Sequence, residues 1–142
     1  MPCGNTAVIV DKGVTIRGET GKAEDVIIDG GNAIRCFYLT GKGERRYVST
    51  TYPTFEEQRV RKGYQCDYAD PNGQTTCCGA GANIFYGMID NCIFENCHAV
   101  AKRNSLAARG GAVFAQVALV TNCTFRSCSV SSATARADGG AI

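Results

Sequence analysis

Short apolar runs that end at glycine, with polar turn residues between them, make up most of residues 8–41. The runs lie at 8–10, 13–18, 26–31 and 34–41. They are rich in β-branched and aromatic residues and are too short for ordinary helices, so they predict strands of three to six residues. No stretch of the chain has a convincing helical period. The pattern therefore predicts an all-β protein.

The second half of the chain repeats itself. Residues 91–97 read Asn-Cys-Ile-Phe-Glu-Asn-Cys, and residues 122–128, which begin 31 positions later, read Asn-Cys-Thr-Phe-Arg-Ser-Cys. A glycine phrase accompanies this repeat and begins at Gly81, Gly110 and Gly139, at intervals of 29 residues. Repeats of this length are typical of architectures in which each unit buries its apolar face against the next. The repeat therefore predicts a stacked solenoid.

Each repeat unit combines a glycine-initiated strand, a second apolar strand, an Asn-Cys corner and a Phe strand that ends at Cys. Asparagine suits a corner because it tolerates the left-handed conformation. Cysteine and phenylalanine alternate after it, so both should point inward. The predicted ladder stacks Asn91, Cys92, Phe94 and Cys97 on Asn122, Cys123, Phe125 and Cys128. Three short strands per turn predict a parallel β-helix of about four rungs.

Two segments resemble known β-helix families. Residues 13–41 contain Val-Thr-Ile-Arg-Gly and Val-Ile-Ile-Asp-Gly strands and resemble the opening rung of right-handed β-helices of the pectin-lyase-like superfamily. Residues 81–142 resemble the repeat of polymorphic outer-membrane proteins, which joins a Gly-Gly-Ala-Ile phrase, here 139–142, to a Phe-x-x-Asn phrase. Cys97 and Cys128 stand where that family usually has Asn. The resemblance implies a right-handed parallel β-helix but indicates little about function, because this fold serves lyases, hydrolases, adhesins and passive surface proteins.

Residues 42–80 interrupt the apolar pattern with a polar stretch that contains four tyrosines and three cysteines. We predict a long loop insertion here, within a single β-helix domain that spans residues 1–142 or belongs to a longer solenoid. A structureless loop of this length is uncommon unless it is functional or held in place. A disulfide between Cys66 and either Cys77 or Cys78 is the favoured staple. The remaining member of the vicinal pair would then reach elsewhere, and Cys36 is a candidate partner.

Nine cysteines are many for a reduced cytosolic protein and favour an oxidising compartment. Strands in adjacent rungs lie about 4.8 Å apart, which falls within the Cα separation of roughly 4.4–6.8 Å that disulfides usually need. Cys92 with Cys123 and Cys97 with Cys128 therefore either form disulfides between rungs or stack as buried thiols that act as small apolar groups. A third alternative is a bridge within one rung, from Cys92 to Cys97, or a bridge to the insertion.

The remaining residues point to no catalytic, metal or cofactor site. Cys97 and His98 match neither the spacing of a zinc site nor that of a haem attachment motif, and His98 is most simply an exposed corner residue. Asp90 aligns with Thr121 and Glu95 with Arg126 in the next unit, so no acidic ladder forms. A net charge of +2 gives no reason to expect nucleic acid, and no run reaches the roughly 18 apolar residues of a membrane span.

These features predict a non-enzymatic structural or adhesive β-helix module at the cell surface or outside the cell, although no signal peptide is visible in the segment. It would assemble end to end into a filament or coat, with other copies or other protein chains bound through the β-helix ends or the 42–80 insertion. Glycans are a further candidate partner. The alternative is a polysaccharide lyase or glycoside hydrolase of the pectin-lyase-like fold, with its active site incomplete in this segment.

Overall fold

The computed structural model describes residues 6–10, 12–40, 54–66, 68–69, 75–101, 107–132 and 136–142. Every regular element within these ranges is a β-strand. The strands are β1 (Thr6–Val10), β2 (Thr15–Arg17), β3 (Ile27–Asp29), β4 (Arg35–Thr40), β5 (Thr54–Glu56), β6 (Arg59–Arg61), β7 (Tyr64–Cys66), β8 (Tyr68–Ala69), β9 (Thr75–Cys78), β10 (Ala82–Asp90), β11 (Ile93–Glu95), β12 (His98–Ala101), β13 (Ala107–Arg109), β14 (Val113–Thr121), β15 (Thr124–Arg126), β16 (Ser129–Ser132) and β17 (Arg136–Asp138).

The strands stack into a parallel β-solenoid of about three turns. Rung 1 is partial and comprises β1–β3, rung 2 comprises β4–β9, rung 3 β10–β13 and rung 4 β14–β17. Sheet A contains β1, β2, β4, β5, β10 and β14, sheet B contains β3, β6, β11 and β15, sheet C contains β7, β12 and β16, and sheet D contains β8, β9, β13 and β17. Strands of successive rungs pair in parallel, and β8 pairs with β9 antiparallel. The prediction of an all-β parallel solenoid is confirmed, with four strands per full turn in place of three.

In sheet A, one continuous strand of rung 3 pairs with two separate strands of rung 2. Strand β10 pairs with β4 along its first half and with β5 along its second half. Thr40 lies opposite Tyr86 and Thr54 lies opposite Met88, so only Gly87 separates the two partners on β10. Strands β4 and β5 are therefore the two halves of one interrupted strand, and residues 41–53 connect them.

The predicted loop over residues 42–80 is wrong for strands β5, β6, β7 and β9, which complete rung 2. Phe55 pairs with Ile16 and Ile89 on either side and is fully buried. Val60, at the centre of β6, is buried in the same way. The sequence looked polar because a three-residue strand buries only its central side chain and turns the two others outward. Residues 42–53, Asp67 and residues 70–74 lie outside the described part of the chain.

The glycine phrase also has a different register from the predicted one. Ala82 lies opposite Val113, so Gly110 matches Gly79 and not Gly81. The spacing from rung 3 to rung 4 is thus 31 residues in sheets A, B and C and 29 residues in sheet D, where Arg109 lies opposite Asp138. The connection between β16 and β17 is two residues shorter than the one between β12 and β13, which accounts for the two intervals in the sequence.

The hydrophobic core runs along the solenoid axis and is complete only in its middle. The largest fully buried side chains are Phe37, Phe55, Phe94, Leu39, Ile84, Ile89, Val60 and Val113. Most inward side chains of the two outer rungs are only partly buried, namely Val8, Ile16 and Ile28 in rung 1 and Ala115, Ala118, Val120, Cys123, Phe125, Cys128 and Val130 in rung 4. Val10 in rung 1 and Val113 in rung 4 are buried. Across the ranges that the structure describes, no helix is long and apolar enough to cross a membrane.

Candidate functional site

The corners of the solenoid form columns of residues in the left-handed conformation. At the corner between sheets A and B these are Glu57, Asn91 and Asn122, with φ of 57°, 47° and 50°, and between sheets B and C they are Lys62, Asn96 and Ser127, with φ of 52°, 52° and 50°. Asn91 and Asn122, the asparagines of the repeated phrase, both lie at the corner between sheets A and B. The glutamate, lysine and serine at equivalent positions were missed, because these residues do not favour positive φ.

A third column, of glycine, lies where sheet D returns to sheet A. Gly79, Gly110 and Gly139 have φ of 56°, 57° and 65°. A Cβ atom on Gly110 would overlap the Val113 carbonyl oxygen. The recurring glycine is therefore a requirement of this corner.

Cysteine thiols follow the asparagines at the corner between sheets A and B. The Cys92 sulfur lies 3.2 Å from the carbonyl oxygen of Asp90 and 3.8 Å from that of Phe55 in the rung below. Cys123 repeats both contacts one rung further along, at 3.0 and 3.9 Å. In rung 2 the amide of Gln58 takes this place and donates to the Ile16 carbonyl at 3.2 Å. The column thus carries a donor in three successive rungs, and sequence reasoning missed Gln58 because it lies in the stretch that was predicted to be a loop.

The corner between sheets B and C uses the second pair of thiols. The Cys97 sulfur lies 3.5 Å from the Glu95 carbonyl oxygen and 4.0 Å from that of Val60. Cys128 makes the equivalent contacts at 3.3 and 3.6 Å. Each thiol therefore caps the backbone of its own rung and reaches the rung before it.

The described cysteines carry free thiols: Cys36, Cys78, Cys92, Cys97, Cys123 and Cys128. Of the alternatives left open by the sequence, the stacked pairs Cys92–Cys123 and Cys97–Cys128 therefore have the thiol form in this structure. Cys36 is fully buried in the core, and Cys78 is half-buried at the end of β9. Cys66 and Cys77 belong to β7 and β9, but their side chains lie outside the described part of the structure, as does the staple predicted between them.

Within each thiol pair, the contact between the two sulfurs lowers the pKa of one thiol and raises that of the other. A hydrogen bond from the Cys97 thiol lowers the pKa of Cys128 to about 7. The same contact, together with burial, raises the pKa of Cys97. Cys123 and Cys92 follow the same pattern, with the pKa of Cys123 lowered and that of Cys92 raised. In both pairs the more acidic sulfur belongs to rung 4, at the open end of the core.

Phenylalanines stack between the two thiol columns. The rings of Phe94 and Phe125 lie with their centroids 5.4 Å apart and an interplanar angle of 13°. The structure thus brings together all four predicted pairs of stacked positions in rungs 3 and 4. The side chain of Asn122 does not extend a simple amide ladder, because its amide donates to the Asp90 carboxylate at 2.9 Å.

The outer face of sheet B carries a column of alternating charge. Asp29, Arg61, Glu95 and Arg126 occupy the same strand position in rungs 1 to 4. Arg61 Nε lies 2.7 Å from Asp29 Oδ2, and Glu95 is paired by the neighbouring Arg59 at 3.2 Å. A backbone hydrogen bond from Gly31 and the bond from Arg61 hold the pKa of Asp29 below its ordinary value. Opposite charges in register favour the observed pairing over a slipped one.

Two further polar side chains join elements. Arg35 was not singled out from the sequence, and the prediction for His98 is wrong. Arg35 is 9% exposed, and its guanidinium donates to the carbonyl oxygens of Gly79 and Cys78 at 2.8 and 2.6 Å. A lone charge inside an apolar strand was the available signal for this role. His98 is not an exposed corner residue, since it opens β12 half-buried with Nδ1 2.8 Å from Ser129 Oγ.

No protein-family model, curated protein or solved structure matches the chain. The fold itself defines the class of protein, a parallel β-solenoid. In the described ranges, no group of three or more His, Cys, Asp or Glu side chains is arranged to hold a metal ion. The polar contacts of the corner columns join one rung to the next.

Proposed function

We propose that this protein is a non-enzymatic structural or adhesive module of an extracellular or cell-surface assembly. The observation that carries the proposal is that several of its carboxylates are engaged in ion pairs and hydrogen bonds with neighbouring strands. Asp29 pairs with Arg61, Glu56 with Arg17, Glu95 with Arg59, and Asp138 with Arg109 and Arg136. Asp90 accepts hydrogen bonds from Thr121 at 2.7 Å and from Asn122. Most of these contacts join neighbouring rungs.

Catalysis on polysaccharides in this type of fold would need acids that are free to converge on a substrate. Glycoside hydrolysis uses two carboxyl groups that face the scissile bond, and calcium takes six to eight oxygen ligands. The carboxylates named above instead form ion pairs with arginines or accept hydrogen bonds from residues of adjoining strands. This use of charge suits a scaffold whose stability is a sum of contacts between neighbouring repeats.

The purified chain should therefore release no product from acidic or neutral polysaccharides, with or without added calcium, under conditions in which a control lyase is active. Turnover that scales with the chain's concentration would contradict the proposal. The extracellular placement rests on the cysteine content, and fractionation of the source cells with an antibody to the chain tests it. Recovery in the cytosol alone would refute that placement.

We further propose a right-handed solenoid related to pectin-lyase-like proteins and polymorphic outer-membrane repeats. The Val-Thr-Ile-Arg-Gly and Val-Ile-Ile-Asp-Gly strands support this relation, together with the parallel stacking of β2 and β3 on rung 2. An electron-density map of the crystallised protein would test the hand directly, and left-handed turns would contradict it.

A further inference from the structure

Two corners of the solenoid each hold a pair of thiols, one from rung 3 and one from rung 4. The register of the flanking strands stacks Cys123 on Cys92 and Cys128 on Cys97. Within each pair the two sulfurs are in hydrogen-bonding contact. Both members of each pair lie in described rungs, so this arrangement does not depend on what lies beyond rung 4.

The direction of the stacked side chains does not favour a direct disulfide. Cys92 and Cys123 make equivalent contacts with backbone carbonyl oxygens, so their side chains point the same way. Neighbours in this arrangement keep their Cβ atoms near the strand spacing of about 4.8 Å, whereas a disulfide places them roughly 3.5–4.5 Å apart. A direct bond between the two sulfurs would therefore require the rungs to move.

A metal ion with two ligands in a line fits the same spacing without such a movement. Zinc–thiolate bonds are about 2.3 Å long, and two metal–sulfur bonds of similar length span about 4.6 Å, which is close to the strand spacing. Cu(I) accepts two ligands in a line, and soft thiolate ligands favour it. Structural zinc sites take four ligands, and the described residues offer no group of three or more metal-binding side chains.

Backbone N–H groups near each sulfur favour the thiolate, which is the form that binds metal. The contact with Cys128 and burial raise the pKa of Cys97, but the N–H of Gly63 acts in the opposite direction. For Cys128, the contact with the Cys97 thiol and the N–H of Cys97 both lower the pKa. The other pair repeats this arrangement, with Gln58 in place of Gly63. Donors of this kind support metal-bound thiolates.

We propose that each stacked pair binds one Cu(I) ion through its two sulfurs, so that the chain holds two copper ions between rungs 3 and 4. Binding removes both thiol protons and forms two sulfur–copper bonds, which leaves one negative charge at each site. Each ion links rung 3 to rung 4 without a disulfide. This inference goes beyond the proposed structural function and does not depend on it.

Copper retention by serine variants tests the proposal. The reduced chain is refolded from urea without oxygen in the presence of Cu(I), so that burial does not block entry. Gel filtration then removes unbound ion, and copper and protein are measured. Cys97→Ser, Cys128→Ser and the variant with both changes should each retain one copper ion fewer than the wild type, because this pair holds a single ion. Combining Cys97→Ser with Cys92→Ser should remove two, because both pairs are then broken.

Cys36→Ser is the matched control. Cys36 is fully buried, but the register places Ala7 and Gly81 beside it in rungs 1 and 3, so it has no stacked thiol. This variant should retain as much copper as the wild type. Circular dichroism checks that each variant folds, which we expect because Gln58 already provides a polar donor at the corner between sheets A and B. Retention of Zn(II) should be the same in all of these chains.

Three results would overturn the copper sites: a wild type that retains no copper, a Cys97→Ser variant that retains as much as the wild type, or a loss of two ions when Cys97 and Cys128 are both replaced. X-ray absorption by the wild type, loaded with two copper ions per chain, is a second readout that decides the matter even if a serine variant does not fold. Two sulfur ligands per copper support the proposal, and three or four contradict it.

Discussion

At the scale of single residues, the corners show that stacking imposes a conformation on whatever residue is present. Glu57, Asn91 and Asn122 share one corner and nearly the same φ. Residues other than glycine, asparagine and aspartate pay roughly 1–2 kcal/mol for this conformation. Glu57 adopts it nevertheless, because the strands on both sides of the corner are fixed by their neighbours in adjacent rungs.

Asn96 offers a clean measurement of this corner strain, because it is exposed and has φ of 52°. Asn96→Ala should lower the free energy of unfolding by about 1 kcal/mol, whereas Asn96→Gly should change it by only a few tenths. Urea denaturation measures both. Thr124→Ala, on an exposed strand position, is the control and should have little effect. Equal costs for the alanine and glycine variants at position 96 would show that conformation is not the cause.

The Cys36 thiol predicts a pH dependence. Burial, with a smaller contribution from the nearby Asp29 carboxylate, raises the pKa of Cys36 from 9.0 to about 12. The folded state therefore holds this proton longer than the unfolded state does. The resulting stability is fully present below pH 9 and is lost as the pH rises towards 12, by about 1.4 kcal/mol per pH unit.

Urea denaturation at several values between pH 9 and pH 11 checks this dependence. Cys36→Ala should show a shallower fall in stability with pH than the wild type does. Val60→Ala also truncates a buried side chain but removes no titrating group, so it should lower the stability without changing the slope. A Cys36→Ala slope equal to that of the wild type would contradict the assignment.

The sequence predicts the role of a residue when the residue type itself favours that role, and it does not when the role depends on strand register. Asn91 and Asn122 were predictable because asparagine itself favours the left-handed corner. The role of Gln58 was not predictable, because its amide occupies the corner position that a cysteine thiol holds in rungs 3 and 4. Only the strand register of Ile16, Phe55 and Ile89 shows that these positions are equivalent. The choice between thiol and disulfide was also left open, since spacing along the chain does not set the direction of a sulfur.

At the scale of elements, strand length decided what could be read from the sequence. The repeat of β10 and β14 was predicted from their apolar residues, but each was divided into a glycine-initiated strand and a second apolar strand, whereas the structure has one continuous nine-residue strand in each rung. Strands β5 and β6 have three residues each and one buried side chain apiece. Nothing in a polar-apolar-polar triplet distinguishes it from a loop, so the predicted insertion was too long. The break in the described strands falls between Thr40 and Thr54.

The register across β10 predicts how this break can be repaired. Replacing residues 41–53 with a single glycine should give one continuous strand opposite β10, because only Gly87 separates the partners of Thr40 and Thr54. The variant should keep the circular dichroism spectrum and the cooperative unfolding of the wild type. It also removes Tyr47 and Tyr52, so retained binding of a protein partner would exclude this part of the predicted insertion as the contact surface.

Deletion of residues 41–53 without the glycine is the matched control for this repair. It shifts β5 by one position, and a shift of one residue turns every side chain of a strand to the opposite face. Phe55, which is fully buried, would then face solvent, and the control should unfold at a lower urea concentration. If both variants are equally stable, the strands β4 and β5 are not halves of one element.

At the scale of the whole molecule, each rung depends on its neighbours, and in the described part of the chain the outer rungs have one neighbour each. The repeated phrase was sufficient to predict stacking because the same pattern recurs at a nearly constant interval. The number of strands per turn was not predictable, since sheet D is formed by short, weakly patterned segments such as Ala107–Arg109. A stack of this kind should be most stable in rung 3 and least stable at its ends.

Phe94 and Phe125 measure this difference with the same side chain in the same column. Phe94 is fully buried with a neighbour on either side, whereas Phe125 stacks on Phe94 and is only partly buried. Phe94→Ala should cost about 3–5 kcal/mol of unfolding free energy, and Phe125→Ala clearly less, in urea denaturation at a concentration where the chain is monomeric. Equal costs for the two variants would contradict the idea that a neighbouring rung on either side sets the stability of a side chain in this column.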